Sequence, residues 1–190
     1  MQPRMSPAEI SLLQSFLVCS DRYLEFGSGG STCLAAEKVR TAVISVDSDP
    51  AWLKKIETYC AQQNIRLMPQ LHPVDIGKTG SWGMPIDLNA KDKWPDYHRS
   101  VWNNAEAAAS DLFLVDGRFR VACFMQIVLR CRPGAIIMVH DFTKRPVYHP
   151  IFEVARQIAI ADSLVVFQPL PDLAKSKAEE ILDNHFLVYW

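Results

Sequence analysis

The sequence lacks several features that would assign it to a specialised class. Its 190 residues carry 20 basic and 21 acidic side chains, so the net charge is −1 and no positive excess predicts a nucleic-acid partner. The five cysteines form no Cys-x-x-Cys pair and are odd in number, which favours reduced thiols. No apolar run approaches the roughly 20 residues of a membrane-spanning helix. We therefore expect a cytoplasmic protein with neither a membrane nor a nucleic-acid partner.

The N-terminal stretch "ISLLQSFLVCS" is apolar but interrupted by polar residues, so we expect a helix here and not a signal peptide. Ile10, Leu13 and Leu17 follow helical spacing, which predicts one apolar face. Hydrophobic residues make up 49% of the chain and charged residues 22%, an ordinary globular balance. We expect a single domain over residues 1–190, in which residues 1–22 hold the N-terminal helix.

Strands and helices alternate regularly after the first helix. Apolar segments predict strands, and the amphipathic or capped segments between them predict helices over about 31–40, 50–63, 120–131 and 150–161. The predicted strands are "RYLEF", "TAVISVD", "IRLMPQLHPVD", "DLFLVD", "AIIMVHD", "LVVFQPL" and, after a polar segment, "HFLVYW". Nearly all-apolar strands that alternate with helices indicate an α/β fold with a parallel sheet covered on both faces.

Residues 76–105 interrupt this alternation. The segment contains three of the five tryptophans together with several glycines and prolines, a composition unlike that of a disordered linker. We expect an aromatic-rich insert that forms a lid over the substrate or a subunit surface, and a satellite core packed on the sheet is the alternative.

Acidic residues end five of the predicted strands. In parallel sheets, ligands bind beyond the carboxyl ends of the strands, where these side chains would gather. Any one of these acids could be a solvated strand terminus, but a series on one edge predicts a ligand or cation site. The five residues are Glu25, Asp47, Asp75, Asp116 and Asp141.

The stretch "EFGSGGST" follows the first predicted strand and has the properties of a ligand-binding loop. Gly27 and Gly29 permit a sharp turn and a close approach of backbone N–H groups to a ligand. Ser31 or Thr32 can begin the next helix, whose amino end faces the same place. A tight turn without a ligand and a dinucleotide site are the alternatives, although the third glycine of the dinucleotide pattern is absent.

These motifs, in their order, resemble those of the class I S-adenosylmethionine-dependent methyltransferases. "LEFGSGGST" is similar to the first motif of that family, "ISVDSDPAWL" to the second-strand motif, "PVDIG" to the third, "DLFLVDGRFR" to the fourth and "GAIIMVHDF" to the fifth. The resemblance implies a Rossmann-like seven-stranded sheet, mostly parallel, with helices on both faces and a C-terminal antiparallel strand pair formed by "LVVFQPL" and "HFLVYW".

The resemblance also implies S-adenosylmethionine as the methyl donor and assigns residues to it. Glu25 would lie near the methionine amino group, Asp47 would bind the ribose, and Asp75 would bind the adenine. The full cofactor-binding set that it implies is Glu25, Phe26, Gly27, Ser28, Gly29, Ser31, Asp47, Ser48, Asp75 and Ile76.

The residues expected on the acceptor side are Asp116, His140 and Asp141. Asp116 would face the methyl group, and His140 has the intrinsic pKa of a general base, although a structural histidine is an equal alternative. The metal-dependent members of the family carry an acid here and an Asp–Asn pair after the fifth strand. Since His140 and Asp141 replace that pair, we expect no metal. Arg118, Arg120, Lys144 and Arg145 would hold an anionic acceptor or form a solvated face.

The sequence therefore predicts a methyltransferase that acts on a small-molecule substrate. The alternative is a domain that binds S-adenosylmethionine or a nucleotide without turnover, as a regulatory or partner subunit. A dinucleotide oxidoreductase is less consistent with the missing glycine and the short chain. A homodimer through the aromatic insert is one further expectation.

Overall fold

One seven-stranded sheet organises the part of the chain that the structure, a computed structural model, describes: residues 1–170 and 174–190. The strands lie in the order β3-β2-β1-β4-β5-β7-β6. All neighbours are parallel except β7, which is antiparallel to both β5 and β6. This confirms the predicted fold class. The strand bounds are β1 Arg22–Phe26, β2 Ala42–Asp47, β3 Gln70–Pro73, β4 Leu112–Val115, β5 Ile136–Val139, β6 Ala155–Ala161 and β7 Leu164–Pro169.

The register of the central strands brings their carboxyl ends level. Phe26 pairs with Val46 of β2 and with Val115 of β4, and Val115 pairs with Val139 of β5. The residues that follow these four are Gly27, Asp47, Asp116 and His140, which therefore form one row at the edge of the sheet. We call this edge the rim.

Helices cover both faces of the sheet, because each face of the central strands is apolar. One face packs against α1 and α2, with Leu13 and Ala35 in contact with Tyr23 and its neighbours. The other packs against α6, α7 and the insert. The helices are α1 Pro7–Leu17, α2 Gly30–Lys38, α3 Pro50–Gln62, α4 Asp96–Arg99, α5 Ala105–Ala108, α6 Arg120–Arg130 and α7 Ala174–His185. Within the described residues, no helix is both long and apolar enough to cross a membrane.

The insert divides into two parts with different environments. Its second half, which includes α4, α5 and the 3-10 helices Leu88–Lys93 and Ser100–Asn103, buries Trp94, Tyr97 and Val101 in the main core. Its first half forms a hairpin-like turn in which Thr79 pairs with Pro85 and Gly80 N–H donates to the Met84 carbonyl at 2.8 Å. We call residues 79–86 the insert tip. The tip exposes Trp82, which is 70% accessible.

The predictions for the C-terminal third were partly wrong. The segment 150–161 is not a helix but the end of a 3-10 helix, Pro146–Glu153, followed by the edge strand β6. The stretch "HFLVYW" is not a strand, because His185 ends α7 and the following residues have no sheet partner. The antiparallel pair is therefore β6 with β7. The polar segment between "LVVFQPL" and "HFLVYW" contains α7, which the sequence interpretation missed, and residues 171–173 of that segment lie outside the described residues.

Candidate active site

The loop between β1 and α2 packs tightly on one side and is open on the other. Gly27 has φ +99°, and a Cβ there would lie 2.5 Å from the backbone nitrogen of Gly117, so only glycine fits without strain. A Cβ on Gly29 would meet no atom within 4 Å. The loop is thus fixed against the residues that follow β4, while its Gly29 backbone faces free space at the rim.

Glu25 lies beneath this loop and not on the rim. Because side chains alternate along a strand, Glu25 points to the same face as Tyr23, towards α2. Its carboxylate has no exposed surface and accepts hydrogen bonds from four hydroxyl groups, those of Tyr23, Ser31, Thr32 and Ser45. Burial raises its pKa to about 7, although the four hydroxyl donors favour the charged form. Glu25 therefore stabilises the loop and has no surface to offer a ligand.

Asp47 ends β2 beside the loop and remains half-buried. Its Oδ2 accepts the Ser28 N–H at 2.9 Å, and its Oδ1 accepts the Asp49 N–H at 3.0 Å. Burial raises the pKa of Asp47 despite these bonds. Each carboxylate oxygen can accept a second hydrogen bond, so the side chain could still receive the hydroxyls of a ligand. Ser48 follows, with its Oγ 3.3 Å from where a Cβ of Gly83 in the insert tip would lie.

The other residues of the predicted cofactor set have mixed positions. Asp75 is exposed two residues beyond the end of β3, where it forms a salt bridge of 2.7 Å with Lys93 and accepts the Gly77 N–H. Phe26 and Ile76 are fully buried in the main core, and Ser31 is committed to Glu25. The structure brings together Gly27, Ser28, Gly29, Asp47 and Ser48. The side chains of Phe26 and Ile76 are buried and therefore cannot contact a ligand at the rim.

The acceptor-side residues form a charged row that also includes a residue from α1. His140 Nδ1 lies 2.9 Å from Asp116 Oδ1, and its Nε2 lies 3.4 Å from Glu9 Oε2. Burial lowers the pKa of His140, but the hydrogen bond to Asp116 and the charges of the nearby acids outweigh this effect, so its pKa is raised. Each ring nitrogen lies beside a carboxylate. His140 is therefore arranged as a bridge between Glu9 of α1 and Asp116 after β4.

Arg120 begins α6 and occupies the space between the two aspartates. Its Nη2 lies 3.2 Å from Asp116 Oδ1 and 3.6 Å from Asp141 Oδ2, and its side chain is 5% exposed. The guanidinium also donates to the backbone carbonyls of Asp116, Gly117 and His140. Asp141 has a second cation partner in Arg145, at 3.1 Å. Arg120 thus ties β4, β5 and α6 together at the rim.

A metal ion could in principle use this cluster. Asp116, His140 and Asp141 each offer a ligand atom, and these atoms lie within 4.8 Å of one another. Arg120 already supplies positive charge to both aspartates, so their mutual repulsion is balanced without a metal. The expectation of a metal-free site stays a prediction, and the position of Arg120 supports it.

Residues of the N-terminal segment, which the sequence interpretation did not select, also contact the site and its surroundings. Glu9 comes from α1, where it forms a capping box with Ser6 and accepts the Ser163 N–H at 2.9 Å. The capping pattern was visible in the sequence, but its contact with His140 was not. Arg4 lies over the Trp82 ring at 4.6 Å, and a Cβ on Gly30 would lie 2.2 Å from the Gln2 backbone. The N-terminal residues 1–5 and the insert tip therefore meet above the loop.

Comparisons with known proteins agree with the fold. No protein-family model matches the chain, and no curated protein sequence matches it significantly. Among solved structures, it is similar to a methyltransferase-like protein from Silicibacter pomeroyi, with 30% identity, a TM-score of 0.86 and coverage of 98% of this chain and 97% of that one.

More distant structures share the fold alone. One is the O-methyltransferase TomG from Streptomyces achromogenes, with 14% identity, a TM-score of 0.58 and coverage of 88% of this chain and 82% of that one. Another is an RNA methyltransferase from Salinibacter ruber, with 14% identity, a TM-score of 0.54 and coverage of 90% and 94%. Together with the strand order and the loop geometry, the 30% identity over nearly the whole of both chains shows that this protein belongs to the class I S-adenosylmethionine-dependent methyltransferase family.

Proposed function

We propose that the protein binds S-adenosylmethionine at the loop between β1 and α2 and transfers its methyl group to a small-molecule acceptor. The observation that carries this proposal is the open space at Gly29 beside the half-buried carboxylate of Asp47. The loop follows β1, which borders the point between β1 and β4 where the strand order reverses and where open α/β sheets bind their ligands. TomG and the Salinibacter enzyme were crystallised with S-adenosylmethionine and S-adenosylhomocysteine respectively, which supports this choice of ligand.

The residues present fit such a ligand. The backbone of Ser28 and Gly29 can approach it because no Cβ of residue 29 intervenes, and Asp47 retains lone pairs for two ribose hydroxyls. Asp75 could bind the adenine amine only by sharing its carboxylate with Lys93. The contribution that we propose for Glu25 is indirect, through the hydroxyl groups that it holds beneath the loop.

S-adenosylmethionine supplies an electrophilic methyl group, and the acceptor must present a nucleophile in line with it. Asp116 has a side-chain exposure of 28% and is the better candidate to receive an acceptor proton. We propose that His140 is a positioning residue, because its contact with Asp116 fixes that carboxylate and its own nitrogens are occupied. Asp141 forms a salt bridge with Arg145, so it would contact an acceptor only through the exposed part of its carboxylate.

The enclosure of the rim favours a small acceptor over a polymer. The N-terminal residues and the insert tip cover the loop from two sides, and Arg118 Nε donates to the Trp82 carbonyl at 2.8 Å. We propose that the insert tip, rather than the whole segment 76–105, opens to admit ligands, since the second half of the insert is part of the main core. When the insert tip closes over the bound ligands, it would exclude water from the methyl group.

A domain that binds S-adenosylmethionine without turnover is the second candidate. The pairing of His140 with two carboxylates favours it, because each ring nitrogen lies beside an acid of the protein. The two functions differ in one measurable outcome, which is the production of S-adenosylhomocysteine when acceptors are supplied.

Calorimetric titration with S-adenosylhomocysteine tests the proposed ligand. We expect a Kd of roughly micromolar order, about −8 kcal/mol, and no heat from reduced nicotinamide dinucleotide. Detection of S-adenosylhomocysteine after incubation of S-adenosylmethionine with phenols, amines, thiols and carboxylates then tests turnover. If millimolar S-adenosylhomocysteine gives neither heat nor a thermal shift, the proposed function is wrong. Binding with no product across the acceptor panel would favour the second candidate.

A further inference from the structure

The acidic groups that surround His140 and Arg120 are paired with cations. Glu9 lies 3.4 Å from His140, Asp116 lies 2.9 Å from His140 and 3.2 Å from Arg120, and Asp141 lies 3.1 Å from Arg145. Each of these acids therefore has at least one cationic partner. Arg118 lies with Asp116 in the loop between β4 and α6. Among the described residues, no carboxylate lies within salt-bridge distance of Arg118. Arg118 is thus a positive charge beside these paired groups that no carboxylate of the described residues balances.

Arg118 is held in place although it has no acidic partner. It follows Gly117, whose backbone packs against Gly27 of the β1–α2 loop. Its Nε donates to the Trp82 carbonyl at 2.8 Å, which fixes the direction of the side chain. Burial lowers the pKa of Arg118, and the positive charges of Arg120 and Arg145 lower it further, while Tyr97 and Tyr148 oppose this. A half-buried guanidinium beside two other arginines is an unfavourable arrangement unless an anion completes it.

The terminal nitrogens of Arg118 are suited to that anion. Among the described residues only Nε of this guanidinium makes a hydrogen bond, so both Nη groups remain available. Two parallel N–H groups match the two oxygens of a carboxylate, a geometry that lysine cannot reproduce. Arg4, which also lacks an acidic partner among the described residues, lies over the ring of the same Trp82 and adds to the positive potential there.

We propose that Arg118 binds the carboxylate of a ligand at the rim. The inference rests on the proposed function, because it places that carboxylate next to the S-adenosylmethionine loop. Two ligands could supply it: the methionine portion of the donor, or an acceptor that carries a carboxylate. In either case Arg118 selects the ligand by charge and by the forked geometry of its nitrogens. The Trp82 carbonyl holds the Arg118 side chain in position by accepting its Nε–H.

Three variants separate this role from general effects of charge. Arg118→Gln removes the charge but keeps an N–H donor that can reach the Trp82 carbonyl, and Arg118→Lys keeps the charge without the fork. Arg132→Gln is the matched control, because it removes one positive charge at the opposite edge of the sheet, where Arg132 pairs with Asp111. Thermal unfolding of all three shows whether the chain remains folded, and Arg118→Lys keeps the test valid if Arg118→Gln is unstable.

The first arm of the experiment uses S-adenosylhomocysteine and S-adenosyl-3-thiopropylamine, which keeps the adenosine and the amine but lacks the carboxylate. If the donor supplies the carboxylate, Arg118→Gln weakens S-adenosylhomocysteine binding about tenfold or more, as for a hydrogen-bonded charged pair. The decarboxylated compound binds weakly to wild type and variant alike. Arg118→Lys gives an intermediate loss, and Arg132→Gln gives none.

The second arm titrates succinate into the protein with and without saturating S-adenosylhomocysteine, with tryptophan fluorescence as the signal. If the acceptor supplies the carboxylate, S-adenosylhomocysteine binding is unchanged in Arg118→Gln, whereas succinate binds the wild-type complex and loses about tenfold in the variant. If neither ligand depends on residue 118 in a folded variant, the inference is wrong. Absence of S-adenosylhomocysteine binding to wild type would instead overturn the proposed function, and succinate binding to the free protein would then decide the inference alone.

Discussion

Alanine substitutions at Gly27 and Gly29, two residues apart in one loop, should affect different properties of the protein. At Gly27 the new Cβ would lie 2.5 Å from the nitrogen and 2.7 Å from the Cα of Gly117, and φ is +99°. At Gly29 the Cβ would meet nothing within 4 Å, and φ is 178°, extended backbone that alanine adopts freely. We expect Gly27→Ala to damage the fold and Gly29→Ala to damage only ligand binding.

The magnitudes follow from these contacts. A left-handed conformation costs an alanine roughly 1–2 kcal/mol, and overpacking adds roughly 1–3 kcal/mol. The atoms that Gly27→Ala would strike are backbone atoms, which cannot rotate away, so we expect a loss of about 2–5 kcal/mol in the free energy of unfolding. Gly29→Ala should change that free energy by no more than about 0.5 kcal/mol. Its methyl group would occupy the space proposed for the donor, and affinity should fall about tenfold, or about 1.4 kcal/mol.

Urea denaturation followed by circular dichroism measures the first effect, and calorimetric titration with S-adenosylhomocysteine measures the second. Each variant is the control for the other, because both add one methyl group to the same loop. A Gly27→Ala protein as stable as wild type would contradict the packing of the loop against Gly117. A folded Gly29→Ala protein with wild-type affinity would show that the donor does not lie over residue 29.

Three further predictions concern other parts of the site. Asp47→Ala should weaken S-adenosylhomocysteine binding by about 2 kcal/mol, because hydrogen bonds to charged groups contribute roughly 1.5–3 kcal/mol; unchanged calorimetric affinity in a folded variant would refute the ribose role. The pKa of Glu9 is lowered from 4.5 to about 2, since hydrogen bonds from Ser163 and Ser6 and the charge of His140 outweigh burial. The folded chain therefore binds fewer protons than the unfolded chain between these values, and its stability falls as pH drops from about 4.5 to 2. Glu9→Gln should flatten this part of an acid denaturation curve, and an unaltered curve would contradict the assignment. Trp82→Phe should remove most of the fluorescence change on S-adenosylhomocysteine binding, whereas the buried Trp94→Phe should retain it; equal responses would mean that the insert tip does not move.

The fold was predictable where the local pattern was strong. The central strands are continuous apolar runs, because both faces of a parallel sheet are covered, and α6 repeats apolar residues with helical spacing. The C-terminal region failed because its signals conflict. β6 is an edge strand with mostly exposed side chains, and its alternation "ARQIAIA" is weak beside the apolar "HFLVYW". Phe186, Leu187 and Tyr189 are apolar because they pack on the main core, not because they pair in the sheet.

The N-terminal segment shows another limit of local patterns. Its helix was predictable from the spacing of Ile10, Leu13 and Leu17, of which Leu13 and Leu17 are buried. Its contribution to the rim was not, because the approach of Gln2 to Gly30 and of Arg4 to Trp82 depends on where α1 lies on the sheet. Helix formation depends on neighbours in sequence, whereas these contacts depend on how distant elements pack.

The sequence by itself determined strands β1 to β5 and β7, the glycine loop after β1 and the acid at the end of β2, since each follows from residues that are close together in the chain. Only the tertiary structure decided which acids reach the rim. Alternation along β1 turns Glu25 inward among four hydroxyls, while the register of β4 and β5 brings Asp116 beside His140. The packing of α1 adds Glu9, and the first turn of α6 adds Arg120. Charge pairing acts through space over a few ångströms, so it depends on how elements distant in sequence pack together. The pairing of these groups therefore could not be read from the sequence. The same holds for the lack of an acidic partner near Arg118 within the described residues.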